Sequence, residues 1–192
     1  MVTHIRGRPC LQRPRARAWK LAIELGDYLV PMTWNRRYTL PLLLLACVGC
    51  VEPELPTTFA ARVVGVKDGD TFSVLVDEQE HVVRLANIDC PERSQPFGKA
   101  AKQFASDICF DKSVRVETTG KSDRYGRLIG TVWVGDSIEV NAKLVSAGLA
   151  WHFVKYSTDP SYAILEQEAR SAGVGLWSDS TAISPWEWRK AK

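Results

Sequence analysis

FAARVVGVKDGDTFSVLVDEQEHVVRLANID, residues 59–89, alternates apolar and polar side chains at the two-residue period of a pleated strand, and breaks that alternation twice. The breaks fall at Asp68-Gly69-Asp70 and at Asp77 to Glu80, both rich in turn-forming residues. The stretch therefore predicts three consecutive strands joined by two turns. Downstream, SVRVET (residues 113–118) and RLIGTVWV (residues 127–134) repeat the strand pattern, the second entered through Asp123-Arg124-Tyr125-Gly126. Between them and the first three strands, residues 97–110 carry Ala100, Ala101, Phe104, Ala105 and Ile108 at helical spacing.

Two further helices are predicted. EVNAKLVSAGLA, residues 139–150, stops at Gly148, where a left-handed C-cap suits glycine. Residues 162–172 have Pro160 ahead of them and Gly173 just past their end. Five strands with about three intercalated helices make an α+β chain: a small β-barrel capped by helices, of which the five-stranded Greek-key OB barrel is one form.

Charge is unevenly placed. The chain has 192 residues, 45% hydrophobic and 24% charged, which is globular rather than disordered composition. Its net +3 comes from residues 1–50, which hold eight Lys/Arg against two Asp/Glu; residues 51–192 are net negative. No overall positive field attracts a polyanion to the folded part, so a local cluster or a metal ion must do so.

From Met32 the chain reads MTWNRRYTLPLLLLACVGC: a charged start at Arg36 and Arg37, a short apolar core, then small residues and cysteines. This is the layout of a secretory signal over residues 32–50. The apolar core is too short to span ~30 Å of hydrocarbon. LLAC, residues 44–47, resembles the lipobox of bacterial lipoproteins, which makes Cys47 the expected lipidation site, with Cys50 the second candidate. Residues 1–31 are expected to lie upstream of the true start at Met32, and residues 51–58 to form a tether. The expected location is thus the bacterial cell envelope, membrane-anchored, or outside the cell. Cys90 and Cys109 lie in the folded part, where a disulfide and two separate thiols are both open readings.

The charged residues suggest a reaction site. Asp70 in the DGDT turn and Asp89 and Glu92 in IDCPE (residues 88–92) would meet if their strand ends are neighbours. Carboxylates with a backbone carbonyl and waters suit Ca²⁺ or Mg²⁺, whereas the three histidines show no zinc-ligand spacing. Arg84 and Arg127 present planar forks that match phosphate oxygens, and Glu92 is placed to take a proton from water. Taken by type alone, a DGD turn is an ordinary turn and a strand arginine an ordinary ion pair. Arg84 and Asp89 also have opposite parity on a straight strand, so a bend must lie between them if both face one site.

VKDGDTFSVLV, VRLANIDCPE, SDRYGR, VNAKLVSAGLA and GLWSD occur in the order found in the thermonuclease (staphylococcal nuclease-like) family, and the resemblance covers residues 59–179. It implies an OB barrel with Ca²⁺-dependent nuclease activity on single-stranded DNA, RNA or loosened duplex DNA. Water attacks phosphorus and the 5′-oxygen leaves, giving 3′-phosphate ends. It implies that Asp70, Asp89 and the Cys90 carbonyl hold calcium, that Glu92 is the general base, and that Arg84 and Arg127 bind phosphate. It also implies that Tyr125 and Tyr156 line the nucleotide pocket. A monomer is expected.

Three departures stand out. Val154 occupies the family's second pocket-aromatic position, the loop from Glu92 to Gly98 is short, and a cysteine follows the calcium aspartate. Weaker base stacking and an altered Glu92 loop follow from the first two. The other reading of the same residues is a catalytically weak nucleic-acid-binding OB module at the cell envelope, which the full set of Asp70, Arg84, Asp89, Glu92 and Arg127 argues against. Residues 180–192 add Trp186 and Trp188, expected to pack on the barrel.

Overall fold

The computed structural model describes residues 55–191. The expectations for residues 1–31, Met32, Cys47 and Cys50 lie outside the described residues. Among the described residues no helix is long and apolar enough to cross a membrane.

Five long strands carry the fold: β1 (Thr58–Asp68), β2 (Thr71–Val76), β3 (Gln79–Leu85), β5 (Ser113–Ser122) and β6 (Leu128–Val134). The two predicted turns are tight. Asp77 and Glu78 both adopt positive φ, 45° and 67°, the conformation that matches the twist of a two-residue hairpin, so β3 starts at Gln79. At the other, Asp68 pairs with Thr71 across Gly69-Asp70. β1 is long enough to serve two neighbours. Its first half pairs with β5 and its second half with β2, with irregularities between Val63 and Gly65 and between Val66 and Asp68 where it bends.

The sheet order β3-β2-β1-β5-β6 closes on itself because β3 and β6 pair in parallel, Val83 with Leu128 and Leu85 with Gly130. This is a closed five-stranded barrel with no free edge at the seam, the OB topology expected from the sequence. Its interior is filled by Val63, Phe72, Val74, Val83, Leu85, Val116 and Val132.

Three two-residue strands and the helices add to this barrel. β4 (Ile88–Asp89) pairs with β8 (Trp151–His152), and β7 (Ile138–Glu139) with β6. α1 (Gly98–Cys109) buries Ala101, Ala105 and Cys109, and α2 (Val140–Ser146) buries Val140, Leu144 and Val145. α3 (Pro160–Ser171) begins two residues before the expected point. Pro160 is inside its first turn, and Asp159 caps it by accepting from the Ser161 N–H at 2.9 Å. A 3₁₀ turn (Gly175–Ser178) and α4 (Pro185–Lys190), neither predicted, complete the described chain.

Asn141 is the polar fastener of the seam. Fully buried at the start of α2, its Oδ1 accepts from Val132 N–H at 3.1 Å, and its Nδ2 donates to the Ala86 carbonyl at 2.9 Å. One side chain thus satisfies backbone groups on both sides of the parallel closure.

Candidate active site

The end of β3 and the strand after it wrap around one guanidinium. Arg84 donates from Nη1 to the carbonyls of Leu85 and Ile88 at 3.1 and 3.2 Å, and from Nη2 to Asp89 Oδ1 at 2.7 Å. Its Nη1 also lies 3.1 Å from Asp70 Oδ2. The bend that parity demanded between Arg84 and Asp89 is present: Asn87 takes φ 67°, turning the chain so that both side chains meet. Burial works against the charge of Arg84, and the carboxylates of Asp70 and Asp89 outweigh it, holding the guanidinium above its ordinary value.

The two aspartates are nearly inaccessible, 6% and 1% exposed. Asp70 accepts from the Cys90 backbone N–H at 2.8 Å through Oδ2 and from the Thr71 hydroxyl at 3.1 Å through Oδ1. The Cys90 side chain turns inward instead, against Gly69 and Ala101. A β-carbon on Gly69 would come within 2.8 Å of Cys90 Sγ, so that turn position must be glycine. Cys90 and Cys109 are both free thiols, which closes the disulfide question in favour of separate buried cysteines. Burial pushes the Cys90 thiol well above its usual range, so it stays protonated and inert.

Asp68 adds a third acid beside the pair. Burial, and then the charge of Asp70, raise its carboxyl from 3.8 to about 6. Negative charge is therefore crowded here beyond what Arg84 neutralises. Among the described residues no three His, Cys, Asp or Glu side chains converge as a metal cluster. A cation held by Asp70 and Asp89 would take its remaining ligands from carbonyls and water. Oxygen donors under excess negative charge fit a hard divalent ion, and no imidazole lines the cleft.

Glu92 follows β4 in a loop that is short and tightly tied. Glu92 N–H donates to Gln95 Oε1 at 3.1 Å, and Gln95 N–H returns to the Glu92 carbonyl at 2.8 Å. Gly98 packs so close that an added β-carbon would sit 2.0 Å from the Glu92 backbone carbonyl oxygen. These contacts fix the backbone of Glu92, while its side chain stays partly exposed.

The opposite wall is the turn before β6. Asp123 Oδ1 accepts from the N–H groups of Tyr125 and Arg127 at 2.9 and 3.0 Å, and Oδ2 takes both Arg127 Nε and Nη2, at 2.9 and 2.7 Å. Burial by itself would raise the Asp123 carboxyl, but the bonds from Arg127 and Tyr125 together outweigh it and hold the carboxyl below its usual range. The Arg127 guanidinium lies over the Tyr125 ring, 5.2 Å from its centre.

All eight residues predicted for chemistry or substrate line one cleft of about 780 Å³: Asp70, Arg84, Asp89, Cys90, Glu92, Arg127, Tyr125 and Tyr156. Only Arg84 of the two arginines reaches the buried carboxylates; Arg127 is held on the far wall by Asp123. Tyr125 and Tyr156 are 67% and 70% exposed, open aromatic faces at the rim. Val154 does not line the cleft, but Phe153 does, one residue earlier, packed edge-on against Tyr156 at 4.9 Å. Phe153 is itself stacked on Trp186, so it backs Tyr156 in the wall.

Sequence reading missed Asp68, Asp123, Phe153, Lys155 and Arg189, all of which line the cleft. Asp123 had a signal, since an aspartate two residues before Tyr125 and four before Arg127 is an Asx-turn arrangement. Arg189 had none. It sits on α4, and Nη2 lies 2.6 Å from Asp89 Oδ2 while Nη1 lies 2.7 Å from Glu92 Oε1. Trp186 holds α4 there by stacking on Phe153, ring centres 5.3 Å apart.

The model of the staphylococcal nuclease homologue family matches residues 82–179. The chain is 46% identical to Protein ParB of Escherichia coli over 139 residues, 67% of this chain and 78% of that one. It is 41% identical to an uncharacterized endonuclease of Escherichia coli O157:H7, covering 73% of this chain and 91% of the relative. A micrococcal nuclease of Shigella flexneri is 43% identical, covering 69% and 82%. Closed barrel, cleft and relatives agree: the chain belongs to the staphylococcal nuclease homologue family and is a nuclease of the hydrolase class.

Proposed function

We propose that this nuclease is exported and Ca²⁺-dependent, and that it hydrolyses phosphodiester bonds of DNA and RNA to leave 3′-phosphate ends. The observation that carries the reading is the sharing of one partly buried guanidinium, Arg84, by Asp70 and Asp89 on the floor of a cleft that also holds Glu92 and Arg127. In this reading Asp70, Asp89 and the Cys90 carbonyl hold the cation. When bound, it supplies Lewis-acid stabilisation of charge on the phosphate.

The chain's own residues do the rest. Glu92 takes a proton from water, whose oxygen bonds to phosphorus as the bond to the 5′-oxygen breaks. Arg84 and Arg127 take up the charge that builds on the phosphoryl oxygens from two sides. Tyr125 and Tyr156 offer exposed faces for bases of an unpaired strand, and base stacking tolerates any sequence. A duplex would have to open to reach them, which favours single-stranded DNA, RNA or loosened duplex as substrate.

The experiment is cleavage of single-stranded DNA and of RNA by the purified protein with Ca²⁺ and then with a chelator, followed by end-group analysis. Calcium-dependent products with 3′-phosphates are expected. Chelator-resistant cleavage, or 5′-phosphate ends, would overturn the reading. The export and anchoring half rests on the signal layout and on Cys47 as the lipidated residue, in a chain that otherwise acts as a monomer. Cys47→Ala should release the protein from the membrane fraction; unchanged fractionation would move the anchor to Cys50 or remove it.

A further inference from the structure

Arg189 takes up the second oxygen of Asp89, one of the two carboxylates assigned to the cation. Asp89 has two oxygens, and each already faces a guanidinium: Oδ1 faces Arg84 at 2.7 Å, and Oδ2 faces Arg189 at 2.6 Å. The two arginines are not equivalent. Arg84 is 13% exposed and holds two backbone carbonyls in addition to both aspartates. Arg189 is 44% exposed and holds only the carboxylates of Asp89 and Glu92. Arg84 is built in, whereas Arg189 can swing into water and be hydrated there.

We propose that Arg189 is an internal competitor of the divalent cation, resting on Asp89 until the cation displaces it and thereby setting the cation concentration at which the nuclease becomes competent. The inference rests on the assignment of Asp70 and Asp89 to the cation. Asp89 is 2% exposed at its side chain and cannot shed its second counter-charge into solvent, so one cation must exchange for another. α4 keeps the competitor close. Trp186 stacks on Phe153 and meets Trp151 edge-on at 5.7 Å, and the Gln95 side chain donates to the Ile183 carbonyl just before the helix. A tethered guanidinium has a high effective concentration at the site, so even a modest ion pair taxes cation binding. The same exchange frees Glu92, whose Oε1 is held by Arg189 while the pair stands. Cation binding and release of the base are then one event.

The test is calorimetric titration of the full chain with CaCl₂, comparing wild type, Arg189→Ala and Lys190→Ala. Lys190 is an exposed neighbour on the same helix, so its loss removes an equal charge from nearly the same place. Arg189→Ala is expected to bind Ca²⁺ about three- to tenfold more tightly, and Lys190→Ala to stay within about twofold of wild type. Unchanged or weaker binding by Arg189→Ala overturns the competition, as does an equal gain in Lys190→Ala, which would mark a general charge effect. Binding by none of the three overturns the cation assignment and the competition together. Equal binding by all three overturns the competition alone.

Discussion

Each charged side chain in the cleft has a partner that dictates what its removal does. Glu92→Gln keeps the size and the loop bonds of Glu92 but removes the proton acceptor, and should lower kcat by about 10²–10⁴-fold with the fold intact. Arg127→Ala should cost a similar factor through lost charge stabilisation. Near-wild-type turnover in either variant, in a single-turnover cleavage assay, would refute the assigned role. Asp123 is different, because it touches no reacting atom in this scheme. It fixes Arg127 with two side-chain bonds and the turn with two more. Asp123→Ala should lower kcat about tenfold and add rotamer freedom at Arg127. Asp123→Asn, which keeps the backbone acceptor, should recover part of the loss; no difference between the two variants would show that the turn bonds do not matter.

The elements place these residues by a few geometric devices. Period-two alternation reveals strands because one face must be buried, so the three strands of residues 59–89 were legible, as were the helices whose apolar residues recur at three and four. What was not legible is what depends on meeting a distant partner. Asn87 reads as a polar residue at a strand end; that it takes positive φ and swings Asp89 back onto Arg84 follows only from the pairing of Ile88 with His152. α4 is short and begins with proline, and the Phe153 ring it docks on is far off in sequence. Val154 and Phe153 show the limit in the other direction. Position-by-position comparison registers a missing aromatic at Val154, and it does not register that the adjacent Phe153 lines the cleft and packs against Tyr156. Asn141 gives a prediction at this scale. Asn141→Ala should destabilise the domain by about 2–4 kcal/mol in urea unfolding, since Val132 N–H and the Ala86 carbonyl lose a buried partner. A loss below about 1 kcal/mol would mean that water replaces it.

For the molecule as a whole, the acids crowded into the cleft make the fold costly. Asp68 is the clearest case: its folded value of about 6 exceeds its ordinary 3.8, so the folded state prefers the protonated form. The penalty is fully present above about pH 6, shrinks as pH falls, and is gone below about 4, where both states are protonated. In chelator, Asp68→Asn should therefore be more stable than wild type at pH 7.5 by about 1–2 kcal/mol, with the difference vanishing near pH 4. Thermal melts at the two pH values check this, and a gain that persists at pH 4 would point to packing instead of charge. Added Ca²⁺ should shrink the gain at pH 7.5 if the cation relieves the same crowding.

The parallel seam between β3 and β6 has a consequence for when this protein can act. Arg84 pairs with Ile129, one strand-step inside the turn that carries Arg127 and Tyr125. The floor of the cleft and its far wall thus belong to opposite lips of the same joint, and that joint links segments distant in the chain, so its closure carries a loop-entropy cost before its contacts are gained. With the seam open, the chain carries every reacting side chain yet has no cleft. Cutting therefore requires the closed seam, because with β3 and β6 apart Arg84 and Arg127 share no cleft.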